Sequence, residues 1–224
     1  MRITYLYNSG FSVFADRLLV FDYCKDTGAG SLEAQALPKN AVAFFSHSHG
    51  DHMTQKALNW PVAKVVSEDF RVIPAGTTVV RPGDVVQVQG LTIRAFGSTD
   101  LGVSFLVDGE GYRLFHAGDL NLWSWREESS AQEIAQATRD FTKILDTIKP
   151  YADTIDVAFF PVDHRMGTGY DEGAHMFLAQ IRPSLFIPMH FREDVAPVEE
   201  FAQKACTMGH KIQVIAQEGQ YIDI

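Results

Sequence analysis

Three histidines and an aspartate are crowded into six consecutive positions, in the segment HSHGDH between His47 and His52. The whole chain of 224 residues contains only eight histidines. The short apolar run AVAFF, at positions 41–45, comes directly before this segment and is typical of a strand buried on both faces. The chain must therefore fold so that several imidazoles and a carboxylate meet at the end of a buried strand.

The spacing within this segment predicts a metal site. His47 and His49 are two residues apart, so in an extended segment they point to the same side and bind one ion together. Gly50 allows a sharp turn, after which Asp51 and His52 face a second position beside the first. Imidazole and carboxylate ligands suit zinc, manganese or iron. The alternative, a polar loop whose histidines bind nothing, does not explain their concentration.

Hydrophobic periodicity predicts a layered α/β protein. Short strands are predicted at 3–7, 11–14, 18–22, 41–45, 63–66, 78–80, 85–88, 91–96, 103–107, 112–116, 155–160, 185–188, 211–215 and 221–224. Helices are predicted at 131–148, 172–181 and 198–208. Strands dominate the first half and alternate with helices in the second. We therefore predict a mixed or antiparallel sheet core in one domain that spans residues 1–224.

Composition narrows the function classes. The net charge of −9 argues against a broad nucleic-acid surface, which needs clustered lysines and arginines. The two cysteines, Cys24 and Cys206, lie far apart and indicate no disulfide scaffold. The sequence shows neither a signal peptide nor an apolar run of membrane-spanning length. We expect a cytoplasmic protein with a small-molecule substrate, with no nucleic-acid or membrane partner, and self-association stays open.

Several motifs together resemble the metallo-β-lactamase fold superfamily. HSHGDH is similar to the HxHxDH motif of that superfamily. The segment FHAGD, which ends at Asp119, resembles the source of its bridging aspartate, and FIPMH, which ends at His190, resembles the source of its last metal histidine. The early segment LLVFDY, with Asp22, resembles its second or third strand. The order of these motifs matches over nearly the full length, and the chain is most similar to short relatives of L-ascorbate-6-phosphate lactonase.

This resemblance implies an α/β fold that is a four-layer αββα sandwich, with the site at one edge. It also implies two divalent metal ions, with zinc first and manganese or iron as alternatives, bridged by Asp119. The remaining ligands would be His47 and His49 for the first ion, and Asp51, His52 and His190 for the second. The residues themselves support Asp119 and His190 independently, because each follows an apolar strand and is a ligand type.

One superfamily ligand is missing. The superfamily has a further histidine on the first ion, but no histidine lies between His52 and His116. The corresponding region, FGSTDLG, contains Asp100. We hypothesise that Asp100 supplies an oxygen ligand, which would favour manganese or iron over zinc. The alternatives are that Asp100 only caps a turn, that the first ion is weak or absent, or that His116 replaces the ligand instead of serving as a core or supporting histidine.

Residues beside the predicted site suggest how a substrate is held. Asp163, His164 and Arg165 follow an apolar strand, and in the lactonase-like relatives the equivalent loop borders the substrate. Arg165 can bind a phosphate or carboxylate, and His164 can transfer a proton. An ion pair between Asp163 and Arg165 is the simpler alternative. Trp123 and the nearby Trp125 line the pocket rim or anchor the following helix.

The leading interpretation is a metal-dependent hydrolase that acts on a small, anionic ester, lactone or phosphodiester. A hydroxide shared by both metals would attack a carbonyl or phosphorus atom. Asp119, Asp51 and His164 are the predicted catalytic residues, and Asp163, Arg165 and Trp123 are predicted to bind substrate. The alternatives are a tRNA-processing or other nuclease, a mononuclear iron dioxygenase, and a non-catalytic metal-binding or sensory protein with an eroded site.

Overall fold

Two mixed β-sheets lie face to face in the computed structural model, which describes residues 1–109 and 111–224. Within those ranges, the seven-stranded sheet contains, in spatial order, β13 (Tyr221–Asp223), β1 (Arg2–Tyr7), β2 (Gly10–Phe14), β3 (Leu18–Phe21), β4 (Val42–Phe45), β5 (Ala63–Ser67) and β6 (Thr77–Val80). The six-stranded sheet contains β12 (Leu185–Met189), β11 (Val157–Pro161), β10 (Tyr112–His116), β9 (Ser104–Gly109), β8 (Leu91–Phe96) and β7 (Val85–Val88).

Helices cover the outer faces of the sheets unevenly. The α-helices of the described residues are α1 (Gln55–Leu58), α2 (Ala131–Ile148), α3 (Glu172–Ile181) and α4 (Ala196–Thr207). Helix α2 begins at a capping box, in which Ser130 and Glu133 satisfy each other's backbone N–H groups. Its buried face carries Phe141, Leu145 and Ile148, which match the predicted helical spacing.

No helix in the part of the chain that the structure describes is both long enough and apolar enough to cross a membrane.

The core has two parts because the larger sheet is buried on both faces. Along β4, Val42 and Phe44 join the main core between the sheets, whereas Ala43 and Phe45 pack on the opposite face with Trp60. This alternation confirms that the AVAFF run is a strand buried on both faces. The outer layer over this sheet is thin, with α1 and irregular segments, while longer helices cover the smaller sheet. The predicted α/β sandwich is confirmed.

The directions of the strands bring many strand ends to one edge. In the larger sheet β3 and β4 are parallel, and β1 runs the same way because β2 is antiparallel to both of its neighbours, β1 and β3. In the smaller sheet β10, β11 and β12 are parallel, and β8 shares their direction through the antiparallel β9. Residues that follow the carboxyl ends of these strands therefore collect at one edge within each sheet.

One predicted strand is wrong, and one helix was not predicted. Residues 211–215 are not a strand, because Ile212 forms only an isolated parallel bridge with Phe186 and no continuous ladder follows. The helix α1 was not predicted, since four residues are too few to show a helical period. Its start is fixed locally, by the side chain of Thr54 accepting from the N–H of Ala57.

Phe159 tests how strongly the two sheets depend on their shared core. Its ring is fully buried and lies 4.6 Å from that of Phe11 in the opposite sheet. Because truncation would leave a cavity between the sheets, we expect Phe159→Ala to lower the free energy of unfolding by about 3–5 kcal/mol. Urea denaturation measures this change. The matched control Phe14→Ala removes a ring that is 51% exposed and should lower the free energy of unfolding by less than about 0.5 kcal/mol. Equal losses in the two variants would contradict the role of Phe159 in the core between the sheets.

Candidate metal centre

The sequence-predicted ligands come together in two adjacent groups at this edge of the sandwich. Each residue of a group offers one ligand atom, and the ligand atoms of a group lie within 4.8 Å of one another. The first group is His47, His49, Asp100 and Asp119, and the second is Asp51, His52 and His190. The arrangement explains the crowded HSHGDH segment, because the one loop after β4 supplies ligand atoms to both groups.

Asp119 stands between the groups. Its Oδ2 lies 3.3 Å from His47 Nε2 in the first group, while its Oδ1 lies 2.9 Å from His52 Nε2 and 3.4 Å from His190 Nε2 in the second. Burial would raise the pKa of this carboxyl, but the imidazoles of His190 and His52 hold that pKa well below its usual range. Asp119 is therefore a carboxylate with one oxygen facing each group.

Buried atoms without hydrogen-bond partners show that a cation fits here. His47 Nε2, His52 Nε2, His190 Nε2 and Asp119 Oδ1 have no hydrogen-bond partner among the described residues. Although His52 Nε2 and Asp119 Oδ1 are close, they are not in hydrogen-bond geometry. Leaving buried polar atoms unpaired is costly. Because these atoms are imidazole nitrogens and a carboxylate oxygen, a divalent metal ion is the partner that satisfies them together.

Asp22 orients the histidines that follow β4. Its Oδ1 accepts from the backbone N–H of Ser46 at 2.7 Å, and its Oδ2 accepts from Ser46 Oγ at 2.6 Å and from His52 Nδ1 at 2.8 Å. Ser46 Oγ also lies 3.0 Å from His47 Nδ1. With Nδ1 of both histidines occupied in this way, Nε2 of each is directed to the metal groups.

The protonation of this network follows from its charges. Burial would raise the pKa of Asp22, but the neighbouring imidazoles of His52 and His116 keep that pKa below its ordinary value. Burial would likewise lower the pKa of His52, but the carboxylates of Asp119 and Asp22 on either side of the ring raise it to about 10. His52 would have to release this proton to hold a divalent ion, so metal binding would be coupled to proton release.

His190 is held by a second buried carboxylate. Its Nδ1 lies 3.0 Å from Asp163 Oδ2, and its backbone N–H donates to the carbonyl of Asn8 at 3.1 Å. Asp163 also accepts from Nε and Nη2 of Arg165. Burial would raise the pKa of Asp163, but the hydrogen bonds from His190 and Arg165 hold it far below its usual value. Asp163 therefore fixes the tautomer that leaves His190 Nε2 free for a metal ion.

His116 is a core histidine with both ring nitrogens engaged. Its Nε2 donates to the carbonyl of Ser9 at 2.8 Å, and its Nδ1 accepts from the N–H of Gly118 at 3.2 Å. Burial lowers the pKa of His116, which keeps the ring neutral. Because neither nitrogen is free, the geometry does not support His116 as the replacement for the missing superfamily ligand.

Asp100 occupies the position beside His49 in the first group. Its Oδ2 lies 3.8 Å from His49 Nδ1, and both side chains are about half exposed. Gly102, two residues after Asp100, has a φ of +74°. A Cβ at this position would lie 2.0 Å from the carbonyl oxygen of Ser46. Only glycine allows the loop to pass this close to the HSHGDH segment. That approach places the Asp100 carboxylate next to His49.

A cavity of about 460 Å³ opens above both groups. Its lining residues are His49, Asp51, Thr99, Asp100, Asp119, Trp123, Trp125, Arg165 and His190. Trp123 is fixed by its Nε1–H, which donates to the carbonyl of Asp119 at 2.8 Å. Arg165 and Trp123, both predicted to bind substrate, therefore lie at the cavity wall.

Two residues with predicted roles are placed differently. The side chain of Asp163 is fully buried and its oxygens are taken by His190 and Arg165, so it supports the site instead of touching a substrate. His164 does not line the cavity, and its Nε2 pairs with Asp194 Oδ2 at 3.1 Å. The geometry therefore does not support His164 as a proton donor to a substrate in this cavity.

Sequence reasoning missed the supporting roles of Asp22 and Ser46. Asp22 was noted only as part of a strand, although a carboxylate directly after an apolar strand was a usable signal. Asn8 carries a φ of +54° and sits in the turn after β1, where its amide lies 3.4 Å from the carbonyl of Asp51. Ser46 had no distinguishing pattern. These contacts join segments far apart in the chain, so sequence spacing does not reveal them.

Solved structures share this fold. A protein of Parabacteroides distasonis designated a metal-dependent hydrolase matches with a TM-score of 0.68 and 17% identity, over 96% of this chain and 92% of that one. The metallo-β-lactamase fold protein YhfI of Bacillus subtilis matches with a TM-score of 0.66 and 12% identity, over 99% and 98%. The diiron β-hydroxylase CmlA of Streptomyces venezuelae matches with a TM-score of 0.66 and 10% identity, over 100% and 54%.

The chain thus has the metallo-β-lactamase fold, as the motifs predicted. It spans about half the length of CmlA. No protein-family model matches the sequence, and the comparison with curated proteins gives no match. The similarity to the lactonase-like subgroup stays a prediction.

Replacing Asp22 by Asn tests the orienting network. An amide has only one oxygen, so it cannot accept from the Ser46 N–H, Ser46 Oγ and His52 Nδ1 in the present geometry, and the orientation of His52 Nε2 toward the second group is weakened. We expect the affinity for Zn²⁺ or Mn²⁺ to fall about 10- to 100-fold, as is typical when a partner of a metal-binding histidine is removed. Competition with a chromophoric chelator measures it. The control Asp108→Asn alters a carboxylate paired with Arg113 on the surface; unchanged affinity in Asp22→Asn would refute the role.

Proposed function

We propose that the protein is a metal-dependent hydrolase that holds two divalent ions and cleaves a small-molecule ester, lactone or phosphodiester. The single observation that carries the proposal is the convergence of three unpaired buried imidazole nitrogens on the two oxygens of Asp119. The shared fold of the Parabacteroides distasonis protein, designated a metal-dependent hydrolase, supports the same class.

Each group has its own ligand set in this proposal. His47, His49 and Asp100 would hold the first ion, and Asp51, His52 and His190 would hold the second, with Asp119 shared between them. Such ions, when bound, lower the pKa of a water molecule and supply hydroxide near neutral pH. Because the first group combines two imidazoles with two carboxylates, it suits manganese or iron better than the all-histidine set of the superfamily would.

The chain's own residues bind and orient the substrate. Arg165 is anchored to the buried Asp163 and reaches the cavity, where its guanidinium can hold an anionic group of the substrate. Trp123 forms a fixed wall beside His190, with ring centroids 5.7 Å apart, and excludes water from that side. Asp51 is partly exposed at the cavity floor, within 3.8 Å of His190 Nε2. The net charge of −9 and the cavity volume favour a small molecule over a nucleic acid.

A second candidate is an oxygen-activating diiron enzyme. It is favoured by one observation, the carboxylate of Asp100 in the first group, which makes that group richer in oxygen ligands. CmlA, which shares the fold, is a diiron β-hydroxylase. Consumption of O₂ by the iron-loaded protein in the presence of a reductant would favour this candidate, whereas hydrolysis under anaerobic conditions favours the hydrolase. The two complete ligand groups argue against a mononuclear or eroded site.

Metal content tests the ligand set. We expect protein purified without chelator to contain about two divalent ions per chain by elemental analysis, as for other two-metal sites. Asp100→Ala should lower the content to about one, because the first group loses an oxygen ligand. Asp100→His should restore two and shift the preference from manganese or iron toward zinc.

The surface variant Asp108→Ala serves as the control for metal content and should leave it unchanged. An Asp100→Ala protein that keeps two ions with wild-type affinity would remove Asp100 from the ligand set, without affecting the assignment of the other residues.

Asp119→Ala tests the catalytic proposal. Removing the shared carboxylate should abolish hydrolysis of bis(p-nitrophenyl) phosphate and p-nitrophenyl acetate, with a loss of at least about 1,000-fold in kcat/KM. The variant should still fold and unfold cooperatively, but at a lower temperature than the wild type, because the folded state favours the charged form of this carboxylate. Release of p-nitrophenol measures the activity. Retained turnover would contradict the proposed site.

A further inference from the structure

The geometry of the cavity points to a substrate class: we infer that the substrate carries a planar aromatic ring next to its anionic group, and that Trp125 selects the ring. This inference rests on the proposed function, since it concerns the same cavity. It is carried by three features, the stacked tryptophans, the backbone of Trp125 and the anchored guanidinium of Arg165.

The two tryptophans form a fixed stack at the cavity wall. Their ring centroids are 6.3 Å apart and their planes differ by 16°. Trp123 is held on its other sides by the carbonyl of Asp119 and by the ring of His190. Trp125 lies against this immobile ring, is partly exposed and lines the cavity. A planar ring of a ligand can extend the stack, since aromatic rings favour offset stacking at such distances.

The backbone of Trp125 is held in an uncommon conformation. Its φ is +40°, which is in the left-handed region that bulky residues rarely adopt. Its carbonyl accepts from the N–H groups of Glu128 and Ser129, both at 2.9 Å, and the Glu127 carboxylate accepts from the N–H of Thr168 at 2.8 Å. Such conformations persist where the surroundings fix them, and they cluster at ligand sites. Here the fixed turn keeps the indole at the cavity.

Arg165 supplies the site for the anionic group. Its Nε and Nη2 are bound to the buried Asp163, which fixes the orientation of the guanidinium. Its side chain is 36% exposed and lines the same cavity. Its Nη1 forms no hydrogen bond with any of the described residues. A ligand anion can therefore add to a guanidinium that is already oriented. The cavity volume of about 460 Å³ has room for an aromatic ring together with a phosphate or carboxylate.

Binding of non-hydrolysable phosphonates tests this inference. We would titrate the protein, as purified with its metals, with benzylphosphonate, cyclohexylmethylphosphonate and methylphosphonate by isothermal titration calorimetry. We expect benzylphosphonate to bind about tenfold more tightly than methylphosphonate, which corresponds to about 1.4 kcal/mol. Cyclohexylmethylphosphonate has a similar size but no flat face, so it should bind more weakly than benzylphosphonate.

Variants assign the preference to named residues. Trp125→Ala should bring the affinities for benzylphosphonate and methylphosphonate within about twofold of each other, with unchanged metal content. Should Trp125→Ala fail to fold, Trp125→Leu retains apolar bulk and should lose only the preference for benzylphosphonate over cyclohexylmethylphosphonate. Arg165→Gln should weaken all three phosphonates by a similar factor. Phe14→Ala, which removes an exposed ring remote from this cavity, should change none of these ratios.

Equal affinities of the wild type for the three phosphonates would overturn the inference. A preference for benzylphosphonate that remains in both Trp125→Ala and Trp125→Leu would overturn it as well. Failure of the proposed function looks different. A protein that binds no metal or hydrolyses none of the esters would contradict the proposed hydrolase function. The preference for an aromatic ring would still be measurable, because the phosphonate titrations detect binding and not turnover.

Discussion

The buried carboxylate of Asp22 is the interaction on which the rest of the site depends. A carboxylate with no exposure to solvent is costly unless hydrogen bonds compensate it, and here Ser46 and His52 together provide three donors. The same bonds decide which nitrogen of His52 is free and, through Ser46, which nitrogen of His47 is free. One anion at the end of β3 thus sets the orientation of ligand atoms at the end of β4. The requirement is geometric, because a histidine rotated by half a turn would offer the wrong nitrogen.

The same pairing of a carboxylate with a histidine occurs a second time within the second group, from the other sheet. Asp163 at the end of β11 directs His190 at the end of β12, as Asp22 directs His52. Each of these histidines therefore follows one strand while its supporting carboxylate follows the neighbouring parallel strand. Parallel strands place such residues side by side, which an antiparallel pair would not do. The parallel strand pairs of the two mixed sheets, β3 with β4 and β11 with β12, therefore place carboxylates next to imidazoles at the edge that carries the site.

The sequence predicted the local parts of this arrangement better than the long-range ones. HSHGDH is a contiguous segment, so its spacing revealed both groups, and the apolar runs before Asp119 and His190 marked strand ends. The supporting roles of Asp22 and Asp163 depend on which strands are neighbours, and periodicity does not contain that information. His164 shows the opposite error. It is adjacent in sequence to Asp163, but its pairing with Asp194 keeps it out of the cavity.

The two groups differ in how firmly they can hold an ion. His52 and His190 are buried and each is fixed by a carboxylate, whereas His49 and Asp100 are about half exposed and fixed less firmly. Neighbouring carboxylates thus preorganise His52 and His190 for an ion, whereas His49 and Asp100 would have to be ordered from solvent-exposed positions when an ion binds. The first group would therefore hold an ion less firmly than the second.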